Sequence, residues 1–365
     1  MSEKDFESIT KGKLSRKKKR IALIVAAALS GVAIANVTAT ILVHDSFFSR
    51  YERPNYALYP GLYSYERISS TLPRENLTVK SKNNSLAAYY YPSENARGLC
   101  VIAHGIHAGA DDFLPWIEAI VKEGYSVLAY DVTGTYSSEG EGTVGMCQSL
   151  IDLDYVLNFA NKDLRFRDLP KVLFGHSWGG YAVSSVLALH PEVRACVAVA
   201  PMHNGATMMI EKAEQYVGDF AKVGNPVLSV YQRILFGDYV KYNATVGINA
   251  SNAHILIAQG KTDTIITPDG QSITAHLSEL TNPNVKVYWT DGLQGSHNGI
   301  LHSVEAEEYK NSTEARIKDL ENKLSRKLTD EERIDFYKTV DHRLYSDVNA
   351  ELLRLTIETF DKGLK

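Results

Sequence analysis

The apolar positions of this chain fall into distinct patterns. Near-continuous apolar runs at Leu99–Ala103, Ser126–Tyr130, Lys171–Phe174, Ala195–Ala200, His254–Ala258 and Val285–Thr290 predict strands of a sheet covered on both faces. Helix-period patterns at about 112–123, 147–160 and 178–190 alternate with them. Ahead of these, Asn76–Lys80 and Leu86–Tyr91 flank Asn83-Asn84 and read as an antiparallel hairpin. A hairpin followed by strand–helix repeats predicts an α/β fold, with a mostly parallel central sheet and helices on both sides.

A third pattern stands apart. Ile21 to Val43 is a run without a single charge, preceded by Lys11, Lys13, Arg16, Lys17, Lys18, Lys19 and Arg20. The run is long enough to cross a bilayer as a helix. The basic cluster would hold its N-terminal side in the cytoplasm, which places the rest of the chain outside the membrane. A cleaved secretory signal with Ala33-Ile34-Ala35 as its processing site is the alternative, and it exports the same domain. The predicted organisation is a basic N-terminus at 1–20, a transmembrane signal anchor at 21–43, a linker at 44–75 and an α/β domain at 76–365. Within that domain, residues 202–250 form an excursion rich in Met and aromatic residues, among them Met202, Met208, Met209, Tyr216, Phe220 and Tyr231. An insertion over the end of a parallel sheet is expected to act as a helical cap on a ligand site. Residues 304–327 read as a charged, solvated helical insertion, and the apolar positions from Leu352 to Phe360 as a last helix docked on the sheet.

Composition narrows the class. A chain of 365 residues with 44% hydrophobic and 22% charged residues is globular. The formal net charge is −4, and the first 20 residues carry a net +5, leaving −9 on the remainder. An acidic body argues against nucleic acid as a partner. Cys100, Cys147 and Cys196 lack CxxC or metal-type spacing and read as buried apolar side chains.

The chemistry centres on Gly175-His176-Ser177-Trp178-Gly179, a G-x-S-x-G sequence after a predicted strand and before a predicted helix. A serine on so sharp a turn needs glycine neighbours, here Gly175 and Gly179, and the following helix points its N–H groups toward a developing oxyanion. A serine hydroxyl also needs a histidine base and a carboxylate to orient it. Asp263, just past the strand His254–Ala258, is the acid candidate, ahead of Asp269 and Asp291, which sit in turn sequences. His297, after Val285–Thr290, is the base candidate, ahead of His302. The backbone N–H groups of Trp178 and Ile106 are the expected oxyanion donors, the second carried by the His104-Gly105 loop. His104 and His107 have H-x-x-H spacing but no further ligands near them, so no metal is expected. His176 reads as a packing residue beside the turn, and the chemistry calls for no cofactor.

Together with Asp131-Val132-Thr133-Gly134-Thr135-Tyr136-Ser137-Ser138-Glu139-Gly140 and the Gly260–Asp263 motif, these residues give a chain that resembles the α/β-hydrolase superfamily, in the branch of monoacylglycerol lipases and serine aminopeptidases. The resemblance runs from about residue 76 to 303 and implies a serine hydrolase. Tyr136 replaces the usual second glycine of the loop after Asp131, and a charged insertion follows His297. The expected substrate is a lipid or small ester. Alternatives are an aminopeptidase using cap carboxylates such as Glu211, Glu214 or Asp219, acyl transfer to an acceptor other than water, and a non-catalytic binding protein.

Overall fold

A computed structural model of the chain describes residues 3–61, 64–205, 207–209, 214 and 218–365. Eight strands, β1 (Glu75–Ser81), β2 (Asn84–Tyr91), β3 (Leu99–Ala103), β4 (Ser126–Tyr130), β5 (Lys171–His176), β6 (Ala195–Val199), β7 (His254–Gly260) and β8 (Val285–Thr290), form one sheet. Their order is β1-β2-β4-β3-β5-β6-β7-β8. The β1/β2 and β2/β4 pairs are antiparallel, and the rest of the sheet is parallel. The fold is therefore the α/β architecture that the alternation of apolar runs predicts.

Side-chain alternation divides the core into two layers. Leu99, Val101 and Ala103 of β3 face one layer, which also holds Leu173, Cys196 and Ala198, while Cys100 and Ile102 face the other with Val172, Phe174 and Val197. The first layer is closed by helices α3 (Gln148–Ala160) and α4 (Trp178–Ser185), the second by α2 (Leu114–Lys122) and, at the C-terminal end, by a helix over Ala350–Gly363 that buries Leu352, Leu355 and Phe360. All three cysteines are buried and free.

At the N-terminus, α1 spans Glu3–Phe47, and the most apolar 18-residue window of its segment Lys18–Phe47 has a mean hydropathy of 2.2 and is wholly uncovered by the rest of the protein. By length and composition it suits a bilayer. The stretch after it, expected as a linker, is bolted to the domain. Tyr51 donates its backbone N–H to Gly134 and accepts from Tyr136, while Thr143 donates to the Phe48 carbonyl. The Arg50 guanidinium donates to the carbonyls of Tyr136 at 2.6 Å and of Ser138 and Gly140 at 2.9 Å each. Charged donors on carbonyls outweigh neutral pairs, so Arg50→Ala is expected to lower unfolding free energy by about 2 kcal/mol. A chemical denaturation curve measures this, and an unshifted midpoint would mean that the strap is held by its backbone bonds alone.

The excursion at 202–250 carries helices. Its helix α5 (Ala221–Phe236) packs along α1, and its helix α6 (Ala244–Asn249) packs on α4. Tyr216 and Glu211 lie outside the described residues. Next in the chain, α7 (Val304–Leu324), α8 (Asp330–Tyr337) and α9 (His342–Tyr345) precede the final helix, α10 (Ala350–Gly363). Asn349 caps α10, its side chain accepting from the Leu352 N–H.

Candidate active site

Parallel strands deliver their C-terminal ends to one edge of the sheet, where the candidate side chains gather. Ser177 directly follows β5 and precedes α4, with φ 56° and ψ −113°, a conformation unusual for any residue other than glycine. The turn is tight enough that a Cβ on Gly179 would lie 2.0 Å from the Ala103 carbonyl oxygen, and one on Gly175 2.4 Å from the Gly179 oxygen. Both motif glycines are thus required by close backbone approach. The Ser177 N–H donates to Val199 O at 2.8 Å, tying the turn to β6.

Asp263 lies three residues past β7, and His297 follows β8 and a short 3-10 turn at Gly292–Gly295. The structure brings the three together: Ser177 Oγ is 2.9 Å from His297 Nε2, and His297 Nδ1 is 2.7 Å from Asp263 Oδ2. The other carboxylate oxygen, Oδ1, accepts from the Ile265 and Ile266 N–H groups at 2.8 and 2.9 Å. Gln259 Nε2 also donates to Oδ2 at 3.2 Å. Burial pushes the Asp263 carboxyl up, but His297 and these amides outweigh it and hold it below its ordinary value. Asp263 is therefore a carboxylate aimed at the imidazole.

The rivals are placed elsewhere. Asp291 is exposed, caps its own turn through the Gly292 N–H and pairs with Lys261. Asp269 lies in a turn closed by the Gly270 N–H on Thr267 O. His302 lines the same cleft as Ser177, but burial drives its imidazole down to about 3, and its Nδ1 is buried without a partner. His176 donates from Nε2 to the His297 carbonyl at 3.0 Å, and burial lowers it to about 3 as well, so it is a neutral brace behind His297.

On the oxyanion side, Trp178 is the first residue of α4, where its N–H has no intrahelical acceptor. Ile106 follows β3 on the opposite wall, and Gly105 lies so near that a Cβ there would sit 3.6 Å from Ser177 Cβ. His104 positions this loop. Its Nδ1 donates to the Gly105 carbonyl at 2.7 Å, its Nε2 accepts from the Val132 N–H at 3.0 Å, and burial holds it neutral, near 4. With both ring nitrogens engaged, it is no partner for His107, whose ring lies against Phe47 and Tyr51.

Among the described residues, one group of potential metal ligands comes together, His203, His276 and Glu279. The two imidazoles stack at 3.7 Å with planes 20° apart. Lone pairs lie in the ring planes, and near-parallel rings this far apart cannot both reach an ion at a bond length of about 2.1 Å. The group is a stacked pair and not a coordination site.

The cleft over Ser177 has a volume of 710 Å³. Among the described residues, none of 202–250 lines it. Its lining includes Tyr51 and Tyr59 of the strap, Glu307 and Lys310 of α7, in the stretch the sequence marks only as solvated, and Tyr345 of α9. Tyr136 contributes too. Its backbone is left-handed, φ 42°, and its ring stacks on Tyr51 at 5.9 Å. Its hydroxyl donates to Asp112 Oδ2 at 2.7 Å. Apart from Tyr136, none of these lining residues carries a sequence signal beyond the aromatic richness of the strap.

Burial pushes the Asp112 carboxyl from 3.8 up to about 6, against the hydrogen bonds from Tyr136 and the Gly109 N–H. A carboxyl raised by folding contributes stability in its protonated form. That contribution is whole below pH 3.8 and is lost as pH rises through about 6. Asp112→Asn is thus expected to flatten the stability profile across this window. Melting temperatures of the two proteins that run parallel from pH 3.8 to 6 would contradict the assignment.

The family model described as serine aminopeptidase, S33, matches residues 94–247. Cutinase est1 of Thermobifida alba is 30% identical over 118 residues, 31% of this chain and 38% of that protein. Cutinase 2 of Thermobifida cellulosilytica is 29% identical over the same length, 44% of that protein. The chain thus spans less than half the length of these curated relatives. Among solved structures, an esterase of Pyrococcus furiosus superposes with a TM-score of 0.52 at 16% identity, covering 76% of this chain and 98% of that one. An α/β-hydrolase of Vibrio vulnificus gives 0.50 at 17% identity, covering 68% and 85%. Likeness at these identities is likeness of fold, and it agrees with the sheet order and the serine turn: the chain has the α/β-hydrolase fold.

Proposed function

We propose that the protein is a serine hydrolase that cleaves carboxylic esters through an acyl-enzyme. The observation that carries this reading is the hydrogen-bonded chain Ser177–His297–Asp263, open to the cleft. His297 Nε2 takes the hydroxyl proton as Ser177 Oγ attacks the ester carbonyl, and the Ile106 and Trp178 N–H groups hold the oxyanion. Collapse expels the alcohol, which leaves with the proton from His297. Water then attacks the acyl-serine by the same base, releasing the acid and restoring the hydroxyl.

The name of the matched family favours a second reading, a serine aminopeptidase. Such an enzyme needs a carboxylate free to hold the substrate ammonium. Glu214 and Asp219 do not line the cleft, Glu211 lies outside the described residues, and the two carboxyl groups that do line it are engaged. Asp112 is bonded to Tyr136 and Gly109, and Glu307 accepts from Lys310 Nζ at 2.6 Å. Ester cleavage therefore fits better. The intact hydrogen-bonded chain disfavours a purely binding role, while acyl transfer to another acceptor would use the same residues.

For location, the reading is a single-pass anchor formed by residues 21–43, with 1–20 cytoplasmic and the hydrolase domain outside, supported by the uncharged run and its basic flank. Secretion after cleavage near Ala35 is the alternative. The activity test is fluorophosphonate labelling of the full chain with turnover of p-nitrophenyl esters and aminoacyl anilides side by side. Labelling with ester turnover is expected. Anilide turnover at comparable rates would promote the peptidase, and a folded protein that neither labels nor turns over would sink the reading.

A further inference from the structure

The face that α5 turns away from the protein is apolar. Leu228, Gln232 and Phe236, one turn apart, are buried, whereas Val223, Val230 and Ile234 on the opposite side are 61%, 61% and 74% exposed. At helical spacing these three form one stripe. Lys222 and Arg233 lie together along one flank of it, each paired with a nearby carboxylate, Asp219 or Asp238.

The position of the stripe identifies its partner. α5 packs on the last turns of α1: a Cβ on Gly224 would sit 3.2 Å from Thr40 Oγ1, Gln232 Nε2 donates to His44 Nε2 at 2.7 Å, and the Tyr231 hydroxyl donates to Asp45 at 3.0 Å. At about 1.5 Å per residue, Thr40 stands about 29 Å from Ile21, the first residue after the basic cluster. A hydrocarbon core is about 30 Å thick, so Gly224 is level with its far edge. Contacts advance from 224 to 231 on α5 while they advance from 40 to 45 on α1, so α5 climbs obliquely outward from that level. Leu42, Val43 and Phe47 of α1 are themselves exposed at the same height. An exposed apolar stripe with a basic flank, at the depth of the acyl–headgroup boundary, has the make-up of an interfacial helix.

We infer that α5 docks on the outer leaflet of the bilayer, its stripe against the acyl chains and its basic flank among the headgroups, on the reading that α1 spans that bilayer. Docking gives the domain a second point of attachment beside α1. Because Phe47 at the end of α1 lies 5.9 Å from the ring of His107, which lines the cleft, this attachment fixes the cleft close to the membrane surface.

The test uses the full chain in phosphatidylcholine vesicles. Single cysteines at Val230 or Ile234 carry an environment-sensitive fluorophore, with controls at Val32 in α1 and at the exposed Glu331 of α8. The native cysteines are buried. Spin-labelled lipids are expected to quench positions 230 and 234 from shallow acyl positions, to quench 32 from deep ones and to leave 331 bright. Quenching at 32 with hydrated, unquenched probes at 230 and 234 overturns the docking and leaves the anchor standing. No quenching at 32 overturns the anchor and the docking with it. Shielding at 230 and 234 that rises with protein density, without lipid quenching, assigns the stripe to a second copy of the chain and overturns the proposal.

Discussion

Replacing Ser177 by alanine is expected to abolish ester turnover, by a factor of about 10³ or more, without a loss of folding. The hydroxyl is the only group removed, and its hydrogen bond is with His297 Nε2. Everything that shapes the turn stays: Ala keeps the Cβ and with it the same backbone strain, the Ser177 N–H still meets Val199 O, and Gly175 and Gly179 still allow the close approach to Ala103. The oxyanion donors survive as well, so residual hydrolysis above the uncatalysed rate is expected from them alone. Measured on the full chain, the variant should lose fluorophosphonate labelling and keep the wild-type melting temperature. Turnover within tenfold of wild type would remove Ser177 from the chemistry; a collapsed melting transition would show the hydroxyl to be structural.

How much of this was legible follows from where each signal lies. A strand buried on both faces has to be apolar at every position, which is why β3, β4 and β6, with all residues buried, stand out as uninterrupted runs. The candidate site is legible because each member is tied to a strand end: Ser177 by its glycines, Asp263 and His297 by following β7 and β8. What was not legible is the rest of the cleft lining. Tyr51, Lys310 and Tyr345 share one cleft across almost 300 residues of sequence, and no periodicity or motif joins them. The strap resembles a linker because its order comes from Arg50 on three carbonyls and from backbone bonds to Gly134 and Tyr136, contacts invisible to a hydrophobic pattern. In the excursion, Leu228 and Phe236 are buried on the inner face of α5, and Gln232 bonds to His44 of α1. Tyr136, a departure from the family's loop pattern, lines the cleft from a left-handed backbone, φ 42°.

Asp263→Asn is expected to cost about 10³ to 10⁴ in turnover, because the surroundings dictate which way the amide must face. Oδ1 accepts two backbone N–H groups, from Ile265 and Ile266, so the asparagine carbonyl has to take that side. Its NH₂ then falls where Oδ2 was, facing His297 Nδ1 and also the Gln259 Nε2 donor, 3.2 Å away. A donor against Nδ1 makes that nitrogen the acceptor and moves the ring proton to Nε2. The imidazole then presents an N–H to Ser177 Oγ and cannot take the hydroxyl proton. The geometry is kept and the proton sits on the wrong nitrogen, so binding of substrate should change little while kcat falls. Nitrogen-15 spectra of His297 should report the switch of tautomer. A variant with wild-type kcat would show that His297 needs no carboxylate, and unchanged tautomer with lost activity would place the role of Asp263 in stabilising the imidazolium alone.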